Sequence, residues 1–255
     1  MQERRWGATV VVVFATLAWT AMGAKLSRCT ALPRDGGDGV GCLSWRVAVE
    51  TGNLRGWRTV PRRCVRYVER YMVGGEYQRE LEAVVEQIYR YMEGVVVSGD
   101  DRDAWVLDVD DTCLSNLRYY QGKRFGGEPF DPTGFRRWAE RRACPAIPPM
   151  LRLVRDLVKK GFKVFLLTGR DSESLGRTTA ENLHTQGFVG YERLVMRGAE
   201  YRGKSAAVFK TEARRQLVRE GYRIWGNVGD QWTDLLGDHP GDRTFKLPNP
   251  MYFVP

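Results

Sequence analysis

The sequence predicts an α/β fold, a Rossmann-like parallel sheet flanked by helices. Three observations carry that expectation. Short apolar runs of strand length recur from residue 104 onward. They alternate with segments of helical spacing. Polar clusters fall where three of the runs end, at Asp108 to Thr112, at Thr168-Gly169-Arg170 and at Gly229-Asp230. Strands alternating with helices imply βαβ units and parallel pairing. Ligands of such sheets sit beyond the carboxyl ends of the strands.

The elements follow in chain order. Residues 61–72 and 76–92 read as two helices broken at Gly74-Gly75, the second with Tyr77, Leu81, Val84, Ile88 and Met92 at helical spacing. Residues 104–109 (AWVLDV) form an apolar run that ends in acid. Residues 151–160 read as an amphipathic helix closed by Gly161, and 163–169 (KVFLLTG) as a second strand. A helix over 172–184, a short strand at Leu194-Val195, a helix over 205–220 ending at Gly221, and strands over 224–228 and 243–247 complete the pattern.

At 255 residues and 43% hydrophobic content the chain suits one α/β domain, with or without a modest extra lobe, and disorder is excluded for most of its length. Residues 1–24 stand apart. Arg4 and Arg5 precede an uncharged stretch over 7–24, and small residues at Ala21-Met22-Gly23 mark a cleavage site after Gly23 or Ala24. This order reads as a secretory signal peptide. The alternative is an uncleaved anchor, since about 18 apolar residues just span a bilayer. Cleavage leaves a chain with no stable membrane association that enters the secretory pathway. Residues 25–41, rich in Gly and Asp, read as a flexible mature N-terminus.

Of the five cysteines (Cys29, Cys42, Cys64, Cys113 and Cys144), Cys42 and Cys64 share one N-terminal segment and are the expected disulfide; separate buried thiols are the alternative. No CxxC pair exists, and His184 and His239 are far apart, which argues against zinc. A net charge of +9 favours anionic ligands. The basic residues are spread along the chain, and Arg136-Arg137 and Arg141-Arg142 read as a solvated helix face, so no nucleic-acid partner is expected.

The chemistry concentrates in four clusters. Asp108, Asp110 and Asp111 crowd negative charge after one strand, which a hard cation such as Mg²⁺ relieves. One carboxylate is placed to attack phosphorus. Another, two residues on, is placed to carry a proton, with its neighbours raising its pKa. Thr168, Gly169 and Arg170 offer a hydroxyl, amides and a forked cation to phosphate oxygens, although such a strand-end turn is more often structural. Lys210, or Lys204 nearer the helix start, is a candidate to neutralise a phosphoryl group. Asp230 is placed to complete a metal shell, and Asp234 to support it through water or to orient the lysine.

Taken together, DVDDT, LLTGR, a helix lysine and GDQWTD, in that order, resemble the four motifs of the haloacid dehalogenase-like phosphatases. More narrowly the chain resembles the plant acid phosphatases and vegetative storage proteins, related to class B and C acid phosphatases. The likeness extends from about Cys42 to Pro255 through LSWRVAVETGNLRGWRTVP, EGYRIWGNVGDQWTDLLG and RTFKLPNPMY. It implies hydrolysis of small phosphomonoesters through an aspartyl-phosphate with Mg²⁺. Asp108 is then nucleophile and metal ligand, and Asp110 general acid/base with its carbonyl on the metal. Thr168 binds phosphate, Lys210 neutralises it with Lys204 as fallback, Asp230 binds the metal and Asp234 supports it. A small, mainly helical cap is expected from about 60–97 and 117–149, and a homodimer is compatible with the family. Asp111 departs from the usual Glu, and Cys113 and Cys144 from Leu and Ala, without removing a catalytic group. Storage is the alternative, because some relatives lack the nucleophile that Asp108 supplies here.

Overall fold

The computed structural model describes residues 40–255. The signal segment, Cys29 and the N-terminal stretch up to residue 39 lie outside the described residues. Helix α1 spans Val40–Glu50, so the irregular segment expected to reach residue 41 ends earlier. Helices α2 (Val65–Val73) and α3 (Glu76–Glu93) follow, then strand β1 (Asp103–Asp108). Three helices intervene before β2 (Lys163–Asp171): α4 (Leu117–Gly122), α5 (Pro132–Glu140) and α6 (Pro148–Lys159). The rest is α7 (Ser172–Thr185), β3 (Arg193–Arg197), α8 (Ala206–Arg219), β4 (Arg223–Gly229), α9 (Trp232–Leu235) and β5 (Arg243–Lys246).

The five strands pair in parallel in the order β3-β2-β1-β4-β5. β1 is central and buried along its whole length. Its side chains alternate between two cores, as a pleat requires. Trp105 and Leu107 join α3 and α6 on one face, whereas Ala104 and Val106 join Phe209 and Leu217 of α8 on the other. Burial on both faces is why β1 reads as an unbroken apolar run. Truncating Leu107 to Ala would cost about 2–5 kcal/mol. Gly226 of β4 lies beside Trp105 in register, and a Cβ there would fall 2.1 Å from the indole. The missing side chain lets Trp105 stack on Phe245 of β5, with ring centroids 6.0 Å apart.

Within residues 60–97, one of the two segments expected to contribute to a cap, α3 packs against the sheet. Tyr91 of α3 packs on Trp105 and Phe245, and Ile88 and Met92 are core residues. A disulfide joins Cys42 of α1 to Cys64, just before α2. Closing a loop of that length stabilises the fold by about 3 kcal/mol through the unfolded chain. Arg46 adds a forked pair to Glu80 of α3, at 2.7 and 2.9 Å.

Candidate active site

The chain leaves β1 toward β2 and β3, then crosses back to β4 on the other side. Such a reversal opens a crevice at the carboxyl ends of β1 and β4. Asp108 is the last residue of β1, and Asp230 directly follows β4. After Asp108 the chain turns tightly. Asp111 adopts a left-handed φ of 56°, its amide donates to Leu114 O at 2.7 Å, and Leu114 N donates to Val109 O at 2.8 Å.

Lys210, on α8, donates to both Asp108 and Asp234. All three are buried. Burial alone would lower the pKa of the ammonium, but the two carboxylates raise it and hold the charge. For Asp108, burial drives the pKa up. Lys210 opposes the rise, and Asp234, Asp230 and Asp110 add to it. Asp234 is oriented by the first turn of α9, where its Oδ2 accepts from Gln231 N at 2.9 Å. A Cβ on Gly229 would sit 2.4 Å from the Asp234 Cβ, so only glycine lets α9 fold back this closely. Arg214 clamps the same turn from below, donating to Asp234 O at 2.7 Å and His239 O at 3.0 Å.

Lys204, the alternative lysine, is exposed on the loop before α8, with its ammonium over Tyr201. It has no place in this cluster. The helix geometry explains the choice: Lys210 lies more than one turn inside α8, on the buried side with Phe209 and Arg214.

Asp110 differs from the sequence expectation of a raised pKa. Its carboxylate accepts from Arg170 Nη2 at 2.7 Å and Nε at 3.0 Å, from Asn116 Nδ2 at 2.8 Å and from Thr168 Oγ1 at 3.0 Å. Burial would lift the carboxyl. The Arg170 charge and these hydrogen bonds outweigh it and hold Asp110 below the usual range. Arg170 and Thr168 reach it because β2 runs on to Asp171, with a register shift against β3 after Thr168. The TGR cluster therefore lies within the last four residues of β2 rather than beyond its end. Thr168 is fully buried with its hydroxyl on Asp110, while Gly169 and Arg170 line the pocket.

The other acids carry the raised values. Asp111 is pushed up to about 8 by burial and by Asp230. Its carboxylate accepts from Asn116 N at 2.8 Å and Tyr252 OH at 2.9 Å. Asp230 is pushed up to about 6 by burial and by Asp234. It accepts from Asn249 Nδ2 at 2.6 Å and Gln231 Nε2 at 2.8 Å. Five carboxylates thus meet two cations, Lys210 and Arg170. Oxygens of Asp108, Asp230 and Asp234 lie within 4.8 Å of one another. This set of hard oxygens, short of positive charge, fits a divalent cation.

The cluster forms the floor of a pocket of about 1330 Å³. Its walls carry the aromatic side chains Trp57, Tyr120, Phe130, Phe135, Tyr252 and Phe253 among charged ones such as Arg58, Arg136 and Arg202. Among the described residues, the buried Thr233 hydroxyl on this wall has no hydrogen-bond partner. Sequence reasoning did not identify Asn116, Gln231, Arg214, Asn249 and Tyr252. Asn249 and Tyr252 fall in the string KLPNPMY, a polar-aromatic cluster after the last strand and the one available signal for them. Cys113 and Cys144 are both fully buried free thiols, pushed up by burial, which makes them poor nucleophiles.

The family model for the HAD superfamily, subfamily IIIB (acid phosphatase), matches residues 28–255. Acid phosphatase 1 of Solanum lycopersicum is 47% identical over 217 residues, covering 85% of each chain. The stem 28 kDa glycoprotein of Glycine max is 40% identical, covering 84% of each. Vegetative storage protein 1 of Arabidopsis thaliana is 37% identical over 84% of this chain and 79% of its own. Among solved structures, the class C acid phosphatase of Bacillus anthracis superposes with a TM-score of 0.61 over 73% of this chain and 83% of that one. At 21% identity, that likeness establishes the fold.

Proposed function

The chain belongs to the acid phosphatases of HAD subfamily IIIB and is a phosphomonoesterase, and on that premise we propose that it works through an aspartyl-phosphate on Asp108 with a divalent metal of the Mg²⁺ class. The observation that carries this reading is the position of Asp108: it ends the central strand, contacts Lys210 and opens into the large pocket.

The residues divide the work as follows. Lys210 attracts the phosphoryl oxygens and screens them from the nucleophile. An Asp108 oxygen attacks phosphorus as the bond to the leaving oxygen breaks. Asp110, protonated at acidic pH, gives its proton to that leaving oxygen and afterwards takes one from the water that hydrolyses the acyl phosphate. Asp108, Asp230 and the Asp110 carbonyl would hold the metal, which when bound would neutralise charge on the transferring group. Asp234 positions Lys210. Because Arg170 keeps Asp110 ionised near neutrality, the first half-reaction speeds up as the medium becomes acidic. Gly169 and Arg170 line the pocket beside Asp110, and the Arg170 amide is committed to Thr168 Oγ1 at 3.1 Å. Thr168 acts through Asp110, with its hydroxyl already committed there. Cap elements over 117–149 contribute Tyr120, Phe130 and Phe135 to the leaving-group side.

Several observations support entry into the secretory pathway. The leader-like residues 1–24 and the Cys42–Cys64 disulfide suit an oxidising compartment. No helix among the described residues is long and apolar enough to cross a membrane. Storage in the manner of the vegetative relatives is compatible with turnover, and the intact Asp108 favours an active enzyme.

The test is a panel of phosphomonoesters assayed with and without chelator, with acid quench of ³²P-labelled substrate to trap the acyl phosphate. Metal-dependent turnover and label retained on the wild-type chain but not on Asp108→Asn support the mechanism. Label retained on Asp108→Asn refutes the nucleophile, and metal-independent turnover refutes the metal.

A further inference from the structure

A second, smaller pocket of about 360 Å³ lies apart from the catalytic one. It is lined by Arg118, Tyr119, Gly134, Arg137, Trp138 and Arg141. Alternate sides of α5 serve the two pockets: Phe135 and Arg136 face the catalytic one, and Gly134, Arg137 and Trp138 the other. No acid lines the small pocket. Among the described residues, Arg118, Arg137 and Arg141 have no side-chain hydrogen bond or ion pair; Arg137 feels only a weak, longer-range attraction to Asp131.

Their sequence neighbours behave differently. In the run Arg136-Arg137-Trp138-Ala139-Glu140-Arg141-Arg142, the outer arginines are paired. Arg136 meets Glu140 at 3.1 Å, and Arg142 meets Glu181 at 2.5 Å. The inner pair, Arg137 and Arg141, is four residues apart on one helical edge and turns to the pocket, where Arg118 of α4 joins it. Three like charges around one small cavity repel, and a solvated face gains nothing from gathering them. The floor beneath them is fixed. Trp138 Nε1 donates to Asn116 Oδ1 at 3.0 Å, and Tyr119 OH donates to Asp131 O at 3.1 Å. Tyr119 also packs edge-on to Tyr120 and Phe135, with centroids 5.1 and 5.4 Å apart.

We propose that this pocket, walled by Arg118, Arg137 and Arg141 over Trp138 and Tyr119, is an anion-binding site separate from the catalytic centre that takes a tetrahedral oxyanion, free or carried on a polymer. Guanidinium forks match such an ion's oxygens geometrically and are unable to release their charge at physiological pH. A free ion fits the cavity whole. A polymer presents the same group while its chain runs over the exposed arginines.

Sulfate chemistry separates the two sources, because a phosphomonoesterase does not consume it. Calorimetry of the full chain is run with inorganic sulfate and, separately, with heparin. The comparison is between wild type, Arg137→Gln/Arg141→Gln and the control Arg142→Gln/Arg177→Gln, which removes the same charge from two arginines paired with Glu181. Loss of the Arg137/Arg141 pair should weaken binding at least about tenfold, given the strength of charge-assisted hydrogen bonds. Aryl phosphate turnover should stay at the wild-type level, which also shows that the variant folds. A loss seen with sulfate identifies a free-ion site, and one seen only with heparin identifies a polymer-borne group. Equal weakening in the control means diffuse charge and overturns the site, as does unchanged affinity for both probes.

Discussion

Strand β1 carries an aspartate at each end, and the fold treats the two in opposite ways. Asp103, at the start, accepts from Ser98 N and Oγ at 2.7 and 2.6 Å, Arg223 Nε at 2.9 Å and Trp225 Nε1 at 2.7 Å. Burial would raise its pKa, but these partners hold it well below the usual carboxylate range. Asp108, five residues on, shares Lys210 with Asp234, and its pKa is driven up by burial. One end of the strand is electrostatically satisfied, and the other holds more negative charge than its cations compensate. Stability is stored at the first and reactivity at the second, a division expected where catalytic groups need partners that arrive only with metal and substrate.

The widest split between the ends is expected from charge removal. Asp108→Asn should lower turnover about 10⁴-fold or more and leave the melting temperature of the metal-free chain unchanged or higher. Asp103→Asn should cost about 1–2 kcal/mol by urea denaturation, with turnover kept within twofold. A large loss of turnover in Asp103→Asn, with the fold intact, would break the division. The lysines provide the next contrast. Lys210→Met should cost about 10²–10³-fold in kcat, whereas Lys204→Met, on the exposed loop, should leave kcat unchanged.

Arg170 sharpens the reading of Asp110. Removing its charge as Arg170→Gln raises the Asp110 pKa, so the alkaline limb of the pH–rate profile should move to higher pH, alongside a drop of about 10²-fold in kcat. An unmoved limb would take Asp110 out of the proton-transfer role. The smallest effect is in stability against pH. Asp103, depressed in the fold, contributes stability that is present above its unfolded value of about 3.9 and is lost as pH falls below it. Asp230 and Asp111 are raised to about 6 and about 8. The folded chain therefore binds extra protons from about pH 4 upward, and stability falls as pH rises through those two values. Chelated wild type should accordingly be less stable at pH 8 than at pH 5 in urea titrations, Asp111→Asn should reduce the slope, and Mg²⁺ should restore stability at the higher pH.

The two ends also differ in how far they could be read. β1 was legible because burial on both faces imposes an apolar run, and α3 because Tyr77, Leu81, Ile88 and Met92 mark one helical stripe. Helices α4 and α5 are short, with few apolar residues to set a period, whereas α1 (VGCLSWRVAVE) is apolar along most of its length and shows no single stripe. The acids at the strand ends were legible as a cluster, since parallel topology places strand ends together. Their partners were not. Asn116, Arg214, Asn249 and Tyr252 are ordinary residues in sequence and become site residues only through contacts made on folding.

By itself the sequence determined the alternation of elements, the parallel sheet and the gathering of Asp108, Asp110, Asp230 and Asp234 at one edge. Those features follow from local periodicity and chain connectivity. The resemblance already favoured Lys210; tertiary structure brings it to Asp108, across 102 residues, and alone decided which arginine lowers the pKa of Asp110, across 60. The reason is physical: the ionisation of a buried carboxylate depends on the charges within a few ångströms of it, and here the deciding charges come from distant parts of the chain.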